Sequence, residues 1–227
     1  MLLAIDTATQ VLSVALHDGA EVFFEQVWRT ANNHTTELAP VVQSAIARSP
    51  VPLTAIAVAI GPGTYSGLRV GVSLAKGLAL TLDLPLVGLG TLDILAAGTP
   101  PTPGALIAVA TAGRSRIIVG AYHQRGKRWK PRHAAETTTW AQLLPSLDAP
   151  TLISGEVDAD GRARIAEAQA AGTPITLAPP PLRPRRASWL AEEAWARMRE
   201  DTERLIIEAY DPVGVAPVYA RTRDLPG

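Results

Sequence analysis

The sequence predicts an α/β protein made of two related halves, and three observations carry that expectation. The opening LLAIDTATQVLSVALHDGAEVFFEQVW reads as three strands, with a hairpin signal at Asp18-Gly19 between the second and third. Strand and helix patterns alternate after it, as they do in open α/β sheets. The run TPPTPG, Thr99 to Gly104, is the clearest linker in the chain, and beyond it the pattern restarts with strands. A length of 227 residues, 47% of them apolar, supplies ample core for one large domain or two small ones.

Taken in order, LLAI is a buried strand that ends in the turn DTAT, Asp6 to Thr9. VLSVALH and EVFFEQVW follow as the arms of the hairpin. ELAPVVQSAIAR places Leu38, Val41, Val42, Ala45 and Ile46 at helical spacing. Thr35 or Thr36 is the expected cap, which puts Pro40 near the first turn, where its missing N–H costs little. LTAIAVAIGPG is a buried strand that turns at GPG. A long helix follows over Ser66 to Leu82, then the strand PLVGLG and the helix-like TLDILAAG. In the second half, ALIAVAT is a strand and RIIVGAYHQRGKRWK a hairpin turning at Gly126. WAQLLPSL is a short helix, TLISGE a strand and DGRARIAEAQAAG a helix. PITLAPPPLRPRR reads as a second linker, and ASWLAEEAWARMRE as a helix capped by Ser188.

Composition excludes several functions. Lys plus Arg equals Asp plus Glu at 21 each, which argues against a stand-alone nucleic-acid binder. There is no cysteine, hence no disulfide, thiolate metal site or thiol nucleophile. Met1 runs directly into a strand pattern, which predicts a cytoplasmic chain without a signal peptide. The most apolar run, Val70 to Leu82, is interrupted by Lys76, so no membrane span is expected. His17, His34, His123 and His133 show no i+3 or i+4 pairing, so no metal site is expected from them. No serine stands in a G-x-S-x-G context.

The segment GPGTYSGLRVGVSLAKGLAL, Gly61 to Leu80, opens like a phosphate loop feeding a helix. A Walker loop, however, carries Lys and a hydroxyl directly after its last glycine. Leu68 and Arg69 follow Gly67 here, and Lys76 lies about two turns further on. Within the helix, Gly67, Gly71, Ala75 and Ala79 form a stripe of small residues at four-residue spacing. One reading sandwiches this helix inside its own domain. The other gives one face to the sheet and the second to another subunit. Asp6, Thr7 and Thr9 are the candidates for a nucleotide loop, in which Asp6 would orient a metal-bound water; the alternative is a polar hairpin turn. Residues 114–132 carry Arg114, Arg116, Arg125, Lys127, Arg128, Lys130 and Arg132 with no acid, a basic ribbon that either touches RNA phosphate or is a solvated hairpin.

LLAIDTATQVLSVAL, NNHTTELAPVV, IGPGTYSGLRVGVSLAKGLAL and PLVGLGTLDILAAG together resemble the TsaB (YeaZ) family, densely over residues 1–98. PVYAR at Pro217 to Arg221 is similar to its C-terminal signature. The resemblance implies the fold of actin, sugar kinases and heat-shock chaperone ATPases, with two related α/β subdomains. These are expected at 1–98 and 99–186, with 187–227 as a helix and tail packing back between them. It implies a non-catalytic subunit that binds and stabilises a TsaD-like enzyme in forming threonylcarbamoyladenosine on tRNA, next to the anticodon. A TsaE-like ATPase is the further implied partner, tRNA is reached through the complex, and a homodimer is expected when the chain is alone. Pairing through the first two helices would engage Leu38, Val41, Val42, Ala45, Gly67, Leu68, Gly71, Val72, Ala75 and Ala79.

Departures from the wider superfamily bear on chemistry. Gly90 or Thr91 and then Leu95 stand where TsaD-like proteins have a metal-binding His pair, which argues against a metallopeptidase. Ala8 stands where a phosphate loop of this type has glycine, so no tightly bound cofactor is expected and ATP only within the complex. A nucleotide-binding ATPase or kinase of the same fold is the alternative function. Thr111-Ala112-Gly113-Arg114 replaces the Asp-Ala-Arg usual at the start of the second half of such chains.

Overall fold

The computed structural model describes residues 1–31, 33–113, 115–203 and 210–222. The chain divides into two compact units: Met1–Ile94 with Arg185–Val218, and Leu95–Pro184 with Tyr219–Gly227.

The first unit holds a 5-stranded sheet. Strands β1 (Leu2–Asp6), β2 (Val11–His17) and β3 (Val22–Arg29) form an antiparallel meander. The expected turn at Asp18-Gly19 is present: Gly19 takes φ +102°, and the Asp18 carboxylate accepts from the amides of Ala20 and Glu21. Strands β4 (Ala55–Gly61) and β5 (Leu86–Gly90) add in parallel on the far side of β1. Both faces of β1 and β2 are covered, which is why these strands read as continuous apolar runs.

One face carries Leu3, Ile5, Val14, Leu16, Ile56 and Val58 beneath helices α1 (His34–Ala47) and α2 (Tyr65–Leu82). Helix α1 begins earlier than expected, after Asn33, and with no side-chain cap. Pro40 therefore lies inside the helix, where it removes the bond that Thr36 O would accept. Both residues are exposed, so water can satisfy that carbonyl. Thr64 caps α2 by accepting from Gly67 N, and Asp83 closes it at φ 53°. The GPG turn contains a cis Gly61–Pro62 peptide. β5 runs directly into α3 (Thr91–Ala97).

The opposite face, with Leu2, Ala4, Ala15, Ala55, Ala57 and Ala59, packs against Ala187, Leu190, Ala191 and Ala194. Those residues belong to the C-terminal helix, Ala187–Glu203, which packs on the first unit's sheet. Ser188 is not the N-cap, because the helix already begins at Ala187. The Ser188 amide instead donates to the Glu25 carboxylate of β3, which also pairs with Arg186.

The second unit repeats the topology. Its sheet comprises β6 (Ala105–Gly113), β7 (Arg116–Arg125), β8 (Arg128–Pro131), β9 (Glu136–Thr138), β10 (Thr151–Gly155), β11 (Ile175–Leu177) and the short β12 (Arg221–Thr222). β6, β7 and β9 are antiparallel neighbours, and β10 and β11 add in parallel beyond β6. The order β9-β7-β6-β10-β11 thus parallels β3-β2-β1-β4-β5 of the first unit, with β8 also paired to β7 and β12 added beyond β9. Helices α4 (Trp140–Leu143) and α5 (Ala159–Ala170) cover a core of Ile107, Val109, Ile117, Val119, Ile153 and Ile165.

Two boundaries differ from the sequence expectation. The first change of unit falls between Ile94 and Leu95, inside α3, and not in the Thr99 to Gly104 linker. The second falls between Pro184 and Arg185, and the run expected to be a linker contributes β11, paired in parallel with β10. The C-terminal helix, α6, packs on all five strands, β1 to β5.

Candidate functional site

The turn Asp6-Thr7-Ala8-Thr9 joins β1 to β2, and Asp6, Thr7, Ala8 and Thr9 are all 0% exposed. Each is committed internally. Asp6 Oδ1 accepts from Ala8 N at 2.9 Å, and Asp6 Oδ2 accepts from Arg185 Nε at 2.9 Å. The Arg185 guanidinium also donates to Thr9 Oγ1 at 2.7 Å and to Val11 O at 3.2 Å. Arg185 is itself only 2% exposed, so this is a buried ion pair that further hydrogen bonds support. Thr7 Oγ1 donates to Gly67 O at 2.7 Å, Thr64 N donates to Ala8 O at 2.7 Å, and His34 Nε2 lies 2.9 Å from Thr9 O.

Such a turn fits a phosphate-bound metal poorly. The carboxylate that would orient the metal's water is held by a fixed cation, and the Ala8 amide that would meet a phosphate is held by that carboxylate. Nothing in the local sequence marks Arg185 as this partner, because it lies 179 positions from Asp6 in a run that also contains Arg183 and Arg186.

The stripe on α2 explains itself at the same turn. A Cβ on Gly71 would land on the Thr7 hydroxyl, and one on Gly67 would land on the Thr7 carbonyl oxygen. The two glycines bring α2 onto the β1–β2 turn. Gly67, Leu68, Gly71, Val72, Ala75 and Ala79 are buried within the first unit, as are Leu38, Val42 and Ala45 of α1. The stripe thus faces its own sheet, and of the set expected to meet a partner only Val41 is half-buried within this chain. Lys76 has a structural task too, donating to Val213 O and Val215 O at 3.0 Å each.

What the pair of helices leaves outward is different. Thr35, Leu38, Ala39, Arg69, Val70, Ser73 and Leu74 line an open groove of about 380 Å³ between α1 and α2. Tyr65, Leu80 and Leu82 are 59%, 58% and 47% exposed on α2. The Arg69 guanidinium stacks 4.0 Å from the Tyr65 ring centroid. A Cβ on Gly77 would touch nothing within 4 Å.

At the positions where TsaD-like proteins carry histidines, a Cβ on Gly90 would meet the Asp93 carboxylate, Thr91 is fully buried and Leu95 is 2% exposed. Among the described residues no group of three His, Cys, Asp or Glu side chains is placed to hold a metal ion, and no helix is long and apolar enough to cross a membrane. His17 accepts from Gly19 N at 2.8 Å through Nδ1 and faces Glu192 at 3.4 Å, so it braces the hairpin turn.

Two α/β units with the same strand order, a buried first turn and helices on the sheet define an actin-like ATPase fold. YeaZ from Pseudomonas aeruginosa has this fold, superposing with a TM-score of 0.70 at 23% identity over 96% of this chain and 98% of its own. Residues 28–169 match the family described as TsaD: tRNA N6-adenosine threonylcarbamoyltransferase. The tRNA threonylcarbamoyladenosine biosynthesis protein TsaB of Bacillus subtilis is 32% identical over 160 residues, which is 68% of this chain and 70% of that protein. Its Escherichia coli namesake is 38% identical over 154 residues, 64% of this chain and 63% of that protein. The chain belongs to the TsaB family, within the wider group that the TsaD description covers.

Proposed function

We propose that this chain is a non-catalytic subunit in the formation of threonylcarbamoyladenosine on tRNA, and that it binds and stabilises a TsaD-like transferase. The names of its relatives support the pathway. The observation that carries the subunit role is the outward face of α1 and α2, where Ser73 and Gly77 are exposed between Val70, Leu74 and Leu82. Glycine in an exposed helix interior costs up to about 1 kcal/mol against alanine. No neighbour within this unit needs the space at Gly77. A partner helix would use it, because small residues let backbones approach closely.

The same face serves a homodimer when the chain is alone. A TsaE-like ATPase and tRNA join through the complex, in the cytoplasm. The Asp6–Arg185 pair supports a chain that binds no nucleotide tightly by itself, with ATP engaged only in the complex. Gly77→Arg tests the docking face, since the substitution meets open space and leaves the fold intact. Co-expression with the TsaD-like protein of the same organism and light scattering after size exclusion provide the readout. Wild type is expected to form a homodimer and a heterodimer, and Gly77→Arg neither. A variant that pairs like wild type overturns the assignment of this face, and a wild-type chain that ignores the transferase overturns the subunit role.

A further inference from the structure

The basic ribbon of the second unit forms the hairpin expected around Gly126. β7 and β8 pair with Arg125 opposite Arg128, Gln124 opposite Trp129, His123 opposite Lys130 and Tyr122 opposite Pro131. Arg132 N bonds to Ala121 O and extends the pairing by one residue. Side chains alternate faces along a strand, and register partners share a face. One face of this hairpin therefore carries His123, Arg125, Arg128, Lys130 and Arg132. The other carries Tyr122 and Trp129, 3% and 8% exposed, with Trp129 Nε1 bonded to Thr99 O at 2.9 Å.

The aromatic face anchors the hairpin, and Gln124 Nε2 braces its turn by donating to Gly126 O. Arg125, Lys127, Arg128, Lys130 and Arg132 are exposed. Like charges directly across an antiparallel pair are destabilising, yet Arg125 faces Arg128 at the tip. No acid occurs from 114 to 132, and Glu136, in register with Val119 on β9, is the first to follow. The ribbon thus holds a row of exposed cations on a paired hairpin. Alternate residues on a strand rise about 6.8 Å, a spacing suited to successive phosphates.

We infer that this face of the β7–β8 hairpin is a contact surface for the phosphate backbone of an RNA, an inference that rests on the tRNA-modification reading above. A membrane surface suits it less, because its aromatic residues point inward and offer nothing to insert. The balanced charge of the chain fits a contact that contributes to RNA binding within a complex and does not bind alone with high affinity.

The test uses Arg125→Glu combined with Lys130→Glu, both exposed, in the full chain bound to its TsaD-like partner. A fluorescein-labelled unmodified tRNA transcript is titrated by anisotropy between 50 and 200 mM salt. If four cations meet phosphates, wild-type affinity falls on the order of 10²-fold over that range. The variant is expected to form the complex normally, bind at least about tenfold more weakly at low salt, and lose about two units of the log–log salt slope. A variant complex that binds tRNA like wild type overturns the inference and leaves the subunit role standing. Absence of any complex overturns the subunit role, and the same titration on the chain alone then decides the ribbon. Equal binding of tRNA, phosphatidylglycerol vesicles and polyglutamate, all lost in the variant, overturns the assignment to RNA.

Discussion

Replacing Arg185 by methionine isolates the strongest electrostatic commitment in the first unit. The guanidinium is 2% exposed and Asp6 is 0% exposed, so water cannot replace the lost partner. Methionine keeps much of the stem volume but none of the donors to Asp6, Thr9 and Val11. Removing one member of a buried pair costs about 3–5 kcal/mol, since the other charge stays buried and uncompensated. Against a total stability of about 5–15 kcal/mol, that is a large fraction. Urea denaturation followed by tryptophan fluorescence measures it. Combining Arg185→Met with Asp6→Asn removes the stranded charge, and the double variant is expected to be more stable than Arg185→Met alone. A single-variant loss below about 1 kcal/mol would refute the reasoning, because an exposed pair is worth no more than that.

The two glycines of α2 are expected to respond oppositely. Gly71→Ala drives a methyl onto the Thr7 hydroxyl and lowers stability by about 1–3 kcal/mol, whereas Gly77→Ala meets open space and raises it by up to about 1 kcal/mol in the same urea assay. Lys76→Met removes both bonds to the carbonyls of Val213 and Val215, so amide exchange over residues 211–215 is expected to accelerate while the sheet amides stay protected. Burial, and secondly the hydrogen bond to Asp201, raise the Tyr210 phenol above its ordinary pKa. The neutral phenol therefore contributes stability that is fully present below about pH 10, the ordinary tyrosine value, and is lost as pH rises towards the raised folded value. Ultraviolet titration is expected to show one tyrosine ionising after the others, a feature that Asp201→Asn diminishes.

Much of the architecture was legible because burial leaves a plain mark. β1, β2 and β4 are covered on both faces and read as apolar runs, and Asp18-Gly19 and Gly126 supply positive φ at hairpin turns. Other features depend on tertiary context. Pro40 sits inside α1 because its surroundings are solvent, a fact local sequence does not carry. β11 hides among prolines because three residues beside β10 suffice to extend a sheet. α2 is apolar almost all round, so its periodicity could not tell which side met the sheet; the glycine contacts with Thr7 decide it. The stripe of small residues therefore explains how α2 is seated, and the docking face proposed above rests instead on the half-exposed Val70 and Leu74 and the exposed Ser73 and Gly77.

Each unit turns back after its first strand. In the first unit the strand ends at Asp6, and its carboxylate is tied to Arg185. In the second, Thr111 stands near the end of β6, where related chains carry an acid. Its amide and hydroxyl both donate to Glu156 Oε2, at 3.0 and 2.6 Å. Glu156 follows β10 and is itself fixed by a bond from its amide to Val109 O. The acid at this turn thus comes from the residue that follows β10, and it grips the turn from within the unit. Each turn has an internal counterpart, a cation in one unit and an anion in the other. If these pairs replace ligand-driven ordering, Glu156→Gln, which keeps the acceptor oxygen, should leave the Thr111 turn ordered by amide exchange. Glu156→Ala should loosen it, and adding ATP with magnesium should not restore protection. Restoration by nucleotide would show that the turn still takes phosphate, and would favour the ATPase alternative over a subunit that acts by docking.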